Sequence, residues 1–301
     1  TMLLAPMSLA ALEPSSRVAL ITGANKGIGK EIARKLAVGM PAVGGSGFEP
    51  GLTTILACRD EELGAAAASE IPGAVVCRCD LTDSASIEAT RAFVEREYGR
   101  LDVLVNNAAV CYNDATLYGK VPYTPFEEQA GITVHTNFFG SLEVTRALLP
   151  LLRKSSSPRI INVASAAGRL RGSQALQDKV TSPDLTVEAL EELMRAFVRD
   201  AEAGEHVANG WPNTCYGVSK LGLIALTRVL ARDEPSIMVN AVDPGWCKTD
   251  QNLMQGPVSA ERGATTPALL ATLPDEQFLS GGLYLEEQEI KWDYSGVTRA
   301  L

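Results

Sequence analysis

A tyrosine and a lysine stand one helical turn apart in the segment TCYGVSKLG, residues 214–222. On a helix, Tyr216 and Lys220 at positions i and i+4 would share one face. A free phenol titrates at about 10. An ammonium group about 4 Å from a developing phenolate is worth about 4 kcal/mol at an effective dielectric constant of about 20. The pair could therefore be a proton donor and the charge that lowers its pKa, by about three units at most. Taken alone, the same spacing also fits an ordinary helix surface.

Glycines follow the first predicted strand in the segment TGANKGIG, residues 22–29. The apolar run VALIT at 18–22 predicts a buried strand, and a helix is predicted from 28 to 38. Glycine lets the backbone approach a ligand closely, and the free N–H groups at the start of a helix favour a pyrophosphate. The segment therefore predicts a dinucleotide site, with a tight turn that holds no ligand as the alternative. The expected cofactor contacts in it are Gly23, Asn25, Lys26, Gly27, Ile28 and Gly29.

The residues around this loop also indicate which nucleotide it binds. A loop for nucleoside triphosphates is excluded by spacing, because Ala24 and Glu31 stand where glycine and Ser or Thr are needed. Past the second predicted strand, Arg59 would suit the 2′-phosphate of NADP(H), and Lys26 in the glycine loop would add a second cation. Asp60 fits the N-cap of the next helix. We therefore predict NADP(H), with solvated surface charges as the alternative for the two cations.

Strand and helix patterns alternate along the chain. Apolar runs predict six strands, at residues 18–22, 53–58, 74–79, 101–105, 159–163 and 237–242. Helical periods predict helices at residues 28–38, 61–69, 84–98, 126–154 and 216–232. Repeated βα units with apolar strands are typical of a parallel sheet covered by helices on both faces. We predict an α/β fold with a doubly wound parallel sheet, the Rossmann fold, in a single domain over residues 1–301.

Two segments interrupt the alternation. Residues 41–51, PAVGGSGFEPG, are rich in Gly and Pro and predict a loop. Residues 166–212 form an insertion between the fifth strand and the Tyr216 helix. Inside this insertion one helical face is apolar, which predicts an amphipathic helix packed on the body of the fold. Its members are Leu190, Leu193, Met194, Phe197 and Val198.

The order of these motifs resembles that of the short-chain dehydrogenase/reductase family, over roughly residues 16–301. The matching segments are TGANKGIG, Asp80 with Leu81, NNAA at 106–109, the Tyr216 and Lys220 pair, and PGWCKT at 244–249. Within the family the sequence is most similar to the monomeric NADPH-dependent carbonyl reductases, in residues 135–152, 161–171 and 243–250. Those reductases carry a similar insertion, whose added helix covers the surface that other members use to dimerise. The resemblance implies a monomer.

The resemblance also implies a role for each candidate residue. Tyr216 would donate a proton to the substrate carbonyl, and Ser165 would hydrogen-bond the same oxygen and stabilise its growing charge. Lys220 would hold the nicotinamide ribose, and Asn137 would bind a water that links Lys220 to solvent. Taken alone, Ser165 and Asn137 fit a cap or a turn, and Trp246, expected as a wall of the substrate pocket, fits core packing. The other expected cofactor contacts are Asp80, Leu81, Asn106, Ala108, Pro244, Gly245 and Thr249.

The implied activity is NADPH-dependent reduction of a small-molecule ketone, aldehyde or quinone by hydride transfer. An NAD(H)-linked alcohol or steroid dehydrogenase and a non-catalytic NADPH-binding sensor are the alternatives. Asp243 stands where some relatives carry a cysteine thought to meet glutathione, which argues against reduction of glutathione conjugates.

Composition excludes several other functions. The chain is 46% hydrophobic with a formal net charge of −9, so we expect neither a nucleic-acid surface nor an anionic-membrane surface. Two histidines and six scattered cysteines predict no metal site, and free thiols favour a cytoplasmic location. No apolar run reaches the ~18 residues of a membrane helix. The first sixteen residues are interpreted as a disordered or surface-lying terminus, with a targeting remnant as the alternative.

Overall fold

A nine-stranded sheet organises the protein, whose computed structural model describes residues 17–41, 48–49, 51–112, 124–274 and 280–300. All six predicted strands are present, within two residues of the predicted ends. The strands are β1 (Val18–Thr22), β2 (Met40–Pro41), β3 (Phe48–Glu49), β4 (Thr53–Cys58), β5 (Val75–Arg78), β6 (Val103–Asn106), β7 (Arg159–Val163), β8 (Met238–Asp243), β9 (Leu283–Leu285), β10 (Gln288–Ile290) and β11 (Val297–Ala300).

Helices connect the strands and cover both faces of the sheet. They are α1 (Gly27–Val38), α2 (Glu61–Ala68), α3 (Ser84–Tyr98), α4 (Phe126–Val134), a π-helix (His135–Gly140), α5 (Ser141–Leu152), α6 (Gln174–Thr181), α7 (Val187–Glu202), α8 (Cys215–Asp233), α9 (Ala260–Gly263) and α10 (Thr265–Thr272). Short 3₁₀ turns occupy Ala166–Gly168 and Asp250–Asn252. The predicted helix over 126–154 is therefore continuous but contains a π-helical turn, and π-turns are frequent at functional sites.

The strand order creates a crevice at one edge of the sheet. The order is β11-β10-β9-β8-β7-β6-β1-β4-β5. The seven neighbouring strands β9, β8, β7, β6, β1, β4 and β5 run parallel to one another. The chain leaves β1 toward β4 and β5 and then returns to the other side of β1 at β6. In open α/β sheets, ligands bind outside the carboxyl ends of the strands at such a reversal. The doubly wound parallel sheet of the sequence prediction is confirmed.

Two hydrophobic cores flank the sheet. Successive residues of β1 alternate between them, so that Leu20 belongs to one core and Ile21 to the other, and both are fully buried. Burial on both faces explains why the strands read as nearly continuous apolar runs. On one face the core includes Val218 of α8, and on the other it includes Leu36 of α1.

The amphipathic helix predicted within the insertion is α7. Its residues Leu190, Met194 and Phe197 are fully buried, and Leu193 and Val198 pack at the edge of the same core. The helix packs against α4 and α8. The helix expected to cover the dimerisation surface of other family members is thus present, and the monomeric state stays a prediction.

Several elements were not predicted from the sequence. The short strand β9 extends the sheet in parallel beside β8, and the β10–β11 hairpin extends it further in antiparallel order. The helices α6, α9 and α10 were also missed. The predicted loop over 41–51 contains an antiparallel pairing of β2 with β3, and its residues 42–47 and 50 lie outside the described part, as do residues 1–16. In the described residues, no helix is long and apolar enough to cross a membrane.

Candidate active site

Two adjoining cavities lie at the carboxyl ends of the central strands. The smaller one, about 230 Å³, is bounded by the glycine loop after β1, the segments after β6 and β7, and the start of α8. The larger one, about 640 Å³, lies between the segments after β7 and β8 and the β10–β11 hairpin. Tyr216 lines both cavities, as do Ala164, Pro244 and Thr249. We refer to them as the glycine-loop cavity and the large cavity.

The glycine loop is shaped by close packing against the segment after β6. Gly23 has φ +66°, and a Cβ on Gly29 would lie 2.4 Å from Asn107 Nδ2. The Asn107 side chain donates to the carbonyl oxygen of Thr22, 2.9 Å away. Asn107 was missed as a candidate, although it belongs to the quoted NNAA motif. Its neighbour Asn106 has a different place, because its buried Nδ2 donates to Asn162 Oδ1 at 2.8 Å in the core of the sheet.

The start of α1 is free to accept an anion. The N-cap residue, Lys26, makes no side-chain hydrogen bond to the first turn, and that turn contains no acidic residue. By contrast, the N-caps of α2 and α8, Asp60 and Thr214, each accept a backbone N–H, which confirms the predicted capping role of Asp60. Uncapped N–H groups at a helix start favour a phosphate group. The predicted loop residues Gly23, Asn25, Lys26, Gly27, Ile28 and Gly29 all line the glycine-loop cavity.

The two predicted cations contact different groups. Lys26 forms an ion pair with Asp250, with 2.9 Å between Nζ and Oδ2, where both residues line the rim of the glycine-loop cavity. Arg59 is exposed at the end of β4 and contributes to lowering the pKa of Asp80. The expectation that both cations reach one phosphate stays a prediction. An ion pair this exposed is worth about 1 kcal/mol or less, so a ligand phosphate could compete for Lys26.

The residues after β5, Asp80 and Leu81, form a turn that packs against the π-helix. Asp80 Oδ1 accepts hydrogen bonds from the backbone and the side chain of Thr82. Burial of Asp80 acts to raise its pKa, but these hydrogen bonds outweigh it and the pKa lies below its ordinary value. Leu81 is buried, and its carbonyl oxygen packs closely against Gly140 of the π-helix. Asp80 thus forms a turn with Thr82, and its expected cofactor contact stays a prediction.

Lys220 is buried between the first part of α8 and the end of β7. Its Nζ donates to the carbonyl oxygen of Val163 at 2.7 Å and lies 5.6 Å from the centroid of the Tyr216 ring. Gly168 packs so closely that a Cβ there would lie 2.6 Å from the Lys220 carbonyl carbon. Burial lowers the pKa of Lys220 to about 8. The predicted sharing of one helix face by Tyr216 and Lys220 is therefore found.

The pKa of Tyr216 moves in the direction opposite to the one expected from Lys220 alone. Burial raises it above its ordinary value, and the nearby Cys111 and Asp243 raise it further. Hydrogen bonds with the side chains of Gln251 and Ser165 oppose the rise without reversing it. The physical reason is that the loss of hydration outweighs the nearby amine, which is directed at Val163. Tyr216 is therefore held as the protonated phenol, the form that can donate.

Ser165 lies where β7 ends, at the border of the large cavity. It is the N-cap of the 3₁₀ turn, and its Oγ accepts the N–H of Ala167 at 3.2 Å. The hydroxyl proton remains able to donate, because the cap uses Oγ as an acceptor. The Ser165 side chain also acts to lower the pKa of Tyr216, and both residues line the large cavity. Both the capping alternative and the predicted proximity to Tyr216 are thus found.

Asn137 is completely buried in the π-helix. Its Nδ2 donates to the carbonyl oxygen of Val110 at 2.9 Å and to Ser219 Oγ at 3.0 Å, and its Oδ1 accepts the N–H of Val110 at 2.8 Å. These contacts tie the segment after β6 to α8, directly beside Lys220. The predicted water-mediated link from Asn137 to Lys220 stays a prediction.

The large cavity has mainly aromatic and small apolar walls. Trp246 lines it and is 55% exposed, so the core-packing alternative for this residue is wrong. Asp243 lines the cavity at the end of β8, and its Oδ2 accepts the hydroxyl proton of Tyr294 at 2.9 Å. The predicted residues Pro244, Gly245 and Thr249 also line it. Tyr294, Cys111 and Gln251 are wall residues that the sequence analysis missed.

Metal-dependent chemistry has no ligand set in the described residues, where no cluster of three His, Cys, Asp or Glu side chains could hold an ion. All six cysteines are free thiols. Burial raises the pKa of Cys111, at the border of the large cavity, to about 11. The candidate reacting groups on the cavity walls are the hydroxyls of Ser165 and Tyr216 and the amine of Lys220.

Comparison with known proteins decides the family. Residues 17–176 match the family model described as short chain dehydrogenase. The chain belongs to the short-chain dehydrogenase family. This confirms the resemblance predicted from the sequence motifs, and it identifies the protein as an oxidoreductase of that family.

Individual members of the short-chain dehydrogenase family resemble the chain over nearly its whole length. Carbonyl reductase [NADPH] 1 of Bos taurus is 39% identical over 93% of this chain and 100% of its own. Carbonyl reductase [NADPH] 3 of Mus musculus is 40% identical over 87% of this chain and 92% of its own. Among solved structures, salutaridine reductase from Papaver somniferum is 31% identical, with a TM-score of 0.76, over 89% of this chain and 99% of its own.

Proposed function

We propose that this short-chain dehydrogenase reduces the carbonyl group of a small, uncharged ketone, aldehyde or quinone at the expense of NADPH. The observation that carries the proposal is the position of Tyr216. Its side chain forms a shared wall of the glycine-loop cavity and the large cavity. A proton donor at this boundary could serve a carbonyl in one cavity while a dinucleotide occupies the other.

The glycine-loop cavity supplies groups that fit a dinucleotide. Its wall includes the uncapped start of α1, which suits the pyrophosphate, and the amine of Lys220, which could hold ribose hydroxyls. When bound, NADPH would supply the hydride. NADP(H) rather than NAD(H) is favoured by Arg59 at the end of β4 and by the names of the carbonyl reductase relatives.

The hydroxyls of Tyr216 and Ser165 account for the proton transfer in the proposed reaction. Because burial keeps Tyr216 protonated, its O–H can donate to a carbonyl oxygen that gains electrons. Ser165 adds a second donor to the same oxygen, and donors that are fixed in advance stabilise such a charge without rearranging. Lys220, whose pKa burial lowers to about 8, provides a positive charge behind the phenol that favours the tyrosinate left after transfer.

The lining of the large cavity limits the substrates. Its described walls include Trp246, Tyr294 and Leu285 and contain no Lys, Arg or His side chain, while Asp243 contributes a negative charge. Its volume of about 640 Å³ lies in the usual range for small-molecule sites. We therefore expect neutral, apolar carbonyl compounds to be reduced, and carboxylate-bearing ones to be poor substrates.

Turnover assays with paired cofactors and paired substrates test this proposal. The purified protein should consume NADPH with benzaldehyde or phenanthrenequinone and should use pyruvate poorly. NADH should bind more weakly than NADPH in titrations, and equal affinities would favour the NAD(H)-linked dehydrogenase. If NADPH binds but no carbonyl compound is reduced, the non-catalytic sensor becomes the better account.

Oligomeric state and location follow from the same resemblance. We infer a cytoplasmic monomer, supported by α7, which packs over α4 and α8, and by six free thiols. Light scattering of the purified chain tests the first part, because a dimer would show that α7 does not prevent association.

A further inference from the structure

Asp243 is a buried carboxylate that joins three walls of the large cavity. It is the last residue of β8 and is 4% exposed. Its Oδ1 accepts the N–H of Gly245 at 3.0 Å, and its Oδ2 accepts the hydroxyl proton of Tyr294 at 2.9 Å. The backbone N–H of Ala166 acts to lower its pKa, although burial raises that pKa overall. Gly245, Ala166 and Tyr294 belong to three different segments, and all three line the large cavity.

The backbone of Tyr294 has an unusual conformation. It lies in the turn of the β10–β11 hairpin with φ +61°, a left-handed conformation that residues with a side chain rarely adopt. Such a conformation persists only where the surrounding structure determines it. In the same turn, Trp292 Nε1 donates to the carbonyl oxygen of Gly168 at 2.9 Å. The turn is therefore fixed at two points, by Trp292 on the 3₁₀ turn and by Tyr294 on Asp243.

Asp243 raises the pKa of Tyr216 through its charge, but both of its side-chain hydrogen bonds are to residues outside the proposed catalytic group. A buried carboxylate is costly unless hydrogen-bond donors satisfy it, and here the donors come from the cavity walls rather than from the catalytic groups. The carboxylate thus keeps the Tyr294 ring beside the cavity. Without it the hairpin turn would lose one of its two described side-chain anchors and would keep that of Trp292.

We propose that Asp243 and Tyr294 form a specificity-determining latch that holds the hairpin turn as a wall of the large cavity and thereby limits the bulk of the carbonyl compounds admitted. Asp243 is a positioning residue in this arrangement, and the Tyr294 ring is the barrier that it positions. The inference rests on the proposed carbonyl reductase function, since it names the substrates that the same cavity prefers.

Three variants test the latch. Asp243→Asn keeps the size of the side chain but removes the charge that receives the Tyr294 hydroxyl. Tyr294→Phe keeps the ring but removes its hydroxyl, and the double variant joins both changes. Asp200→Asn is the matched control, because Asp200 Oδ2 accepts the indole N–H of Trp211 at 2.8 Å on the distant helix α7.

The measured quantity is the ratio of kcat/KM for phenanthrenequinone to kcat/KM for benzaldehyde. Each single variant should raise this ratio about tenfold, because Tyr294→Phe loses the hydrogen bond to a charged group and Asp243→Asn leaves only a weaker, neutral acceptor. The double variant should raise it no further than the larger single effect, since both changes break one link. The control should leave it unchanged. An unaltered ratio in both single variants, or additive effects in the double variant, would overturn the latch.

If the wild type reduces neither compound, the proposed function is refuted. The latch can still be tested by measuring amide hydrogen exchange. In the hairpin turn the N–H of Tyr294 donates to the carbonyl oxygen of Lys291 at 2.8 Å, and the N–H of Leu170 donates to that of Trp292 at 3.2 Å. Both amides should exchange several-fold faster in Asp243→Asn and Tyr294→Phe than in the wild type or in Asp200→Asn. Equal exchange in all four proteins would show that the pair does not hold the turn.

Discussion

The amine of Lys220 donates a hydrogen bond to the carbonyl oxygen of Val163, 2.7 Å away, and so ties α8 to the end of β7. Two residues beyond the end of that strand lies Ser165, which lines the large cavity together with Tyr216. The bond therefore fixes the position of the strand end that carries one hydroxyl relative to the helix that carries the other. This arrangement leaves an amine buried, with consequences for stability.

Replacement of Lys220 by Met should change how stability depends on pH. Burial lowers the pKa of Lys220 from the ordinary 10.5 to about 8. Between these values the unfolded chain binds a proton that the folded chain lacks, so the wild type gains stability as pH rises. Relative to Lys220→Met, the gain should reach about 3 kcal/mol at most. Urea unfolding of both proteins from neutral pH to the upper end of this window measures it.

The comparison with Lys220→Met cancels the titration of other groups and the pH-independent loss of the bond to Val163. Lys154→Met, at an exposed lysine, is the control and should run parallel to the wild type. A constant difference between wild type and Lys220→Met across the window would show that the amine is not buried as described.

Ser165→Ala should separate catalysis from helix capping. The change removes the donor proposed to hydrogen-bond the substrate oxygen, and we expect kcat to fall by a factor of about 100. Ser173→Ala is the matched control, because Ser173 caps α6 through the N–H of Leu176 in the same manner. Both variants should lose about 1 kcal/mol of stability from the cap. Equal kcat values for the two would reduce Ser165 to a capping residue.

Gly29→Ala should damage the glycine-loop cavity. An added Cβ would lie 2.4 Å from Asn107 Nδ2 and 2.7 Å from the carbonyl oxygen of Gly23. Such overpacking costs about 1–3 kcal/mol, and the displaced loop should bind NADPH more weakly. Thermal unfolding and NADPH titration measure the two effects.

Gly131→Ala provides the comparison, because Gly131 also lies in a helix but a Cβ there would have its nearest contact at 3.7 Å, on the Glu202 side chain. This variant should gain about 0.5–1 kcal/mol of stability. Similar stability and similar NADPH affinity of the two variants would argue against the tight packing of the loop.

A helix or strand could be predicted from the sequence where its own residues show the hydrophobic pattern of that element. Buried parallel strands such as β1 and β7 show as apolar runs, and the apolar face of α7 shows as a helical period. Strands β9 and β10 were missed because three residues give no measurable period. The π-helix was missed because it differs from an α-helix by hydrogen-bond register rather than by composition.

The residues of the candidate site could be proposed from the sequence, but the directions of their pKa shifts could not. Tyr216, Lys220 and Ser165 were proposed from motifs, and all three line one or both of the adjoining cavities. The predicted direction of the Tyr216 pKa shift was wrong, because the shift depends on burial and no local sequence pattern indicates burial of this residue. The contact between Asp243 and Tyr294 joins the end of β8 to a distant hairpin turn, and only the folded chain reveals it.

The central claim is that Tyr216 delivers the proton, and Tyr216→Phe tests it most directly. This variant keeps the ring but lacks the hydroxyl, and general acid catalysis by a placed side chain is worth a factor of about 100 or more. The control is Tyr98→Phe, at a buried hydroxyl for which no hydrogen-bond partner is found in the described structure. In steady-state assays with NADPH and benzaldehyde, we expect Tyr216→Phe to bind NADPH as the wild type does and to lose at least that factor in kcat. Reduction by Tyr216→Phe at the rate of Tyr98→Phe would contradict the account.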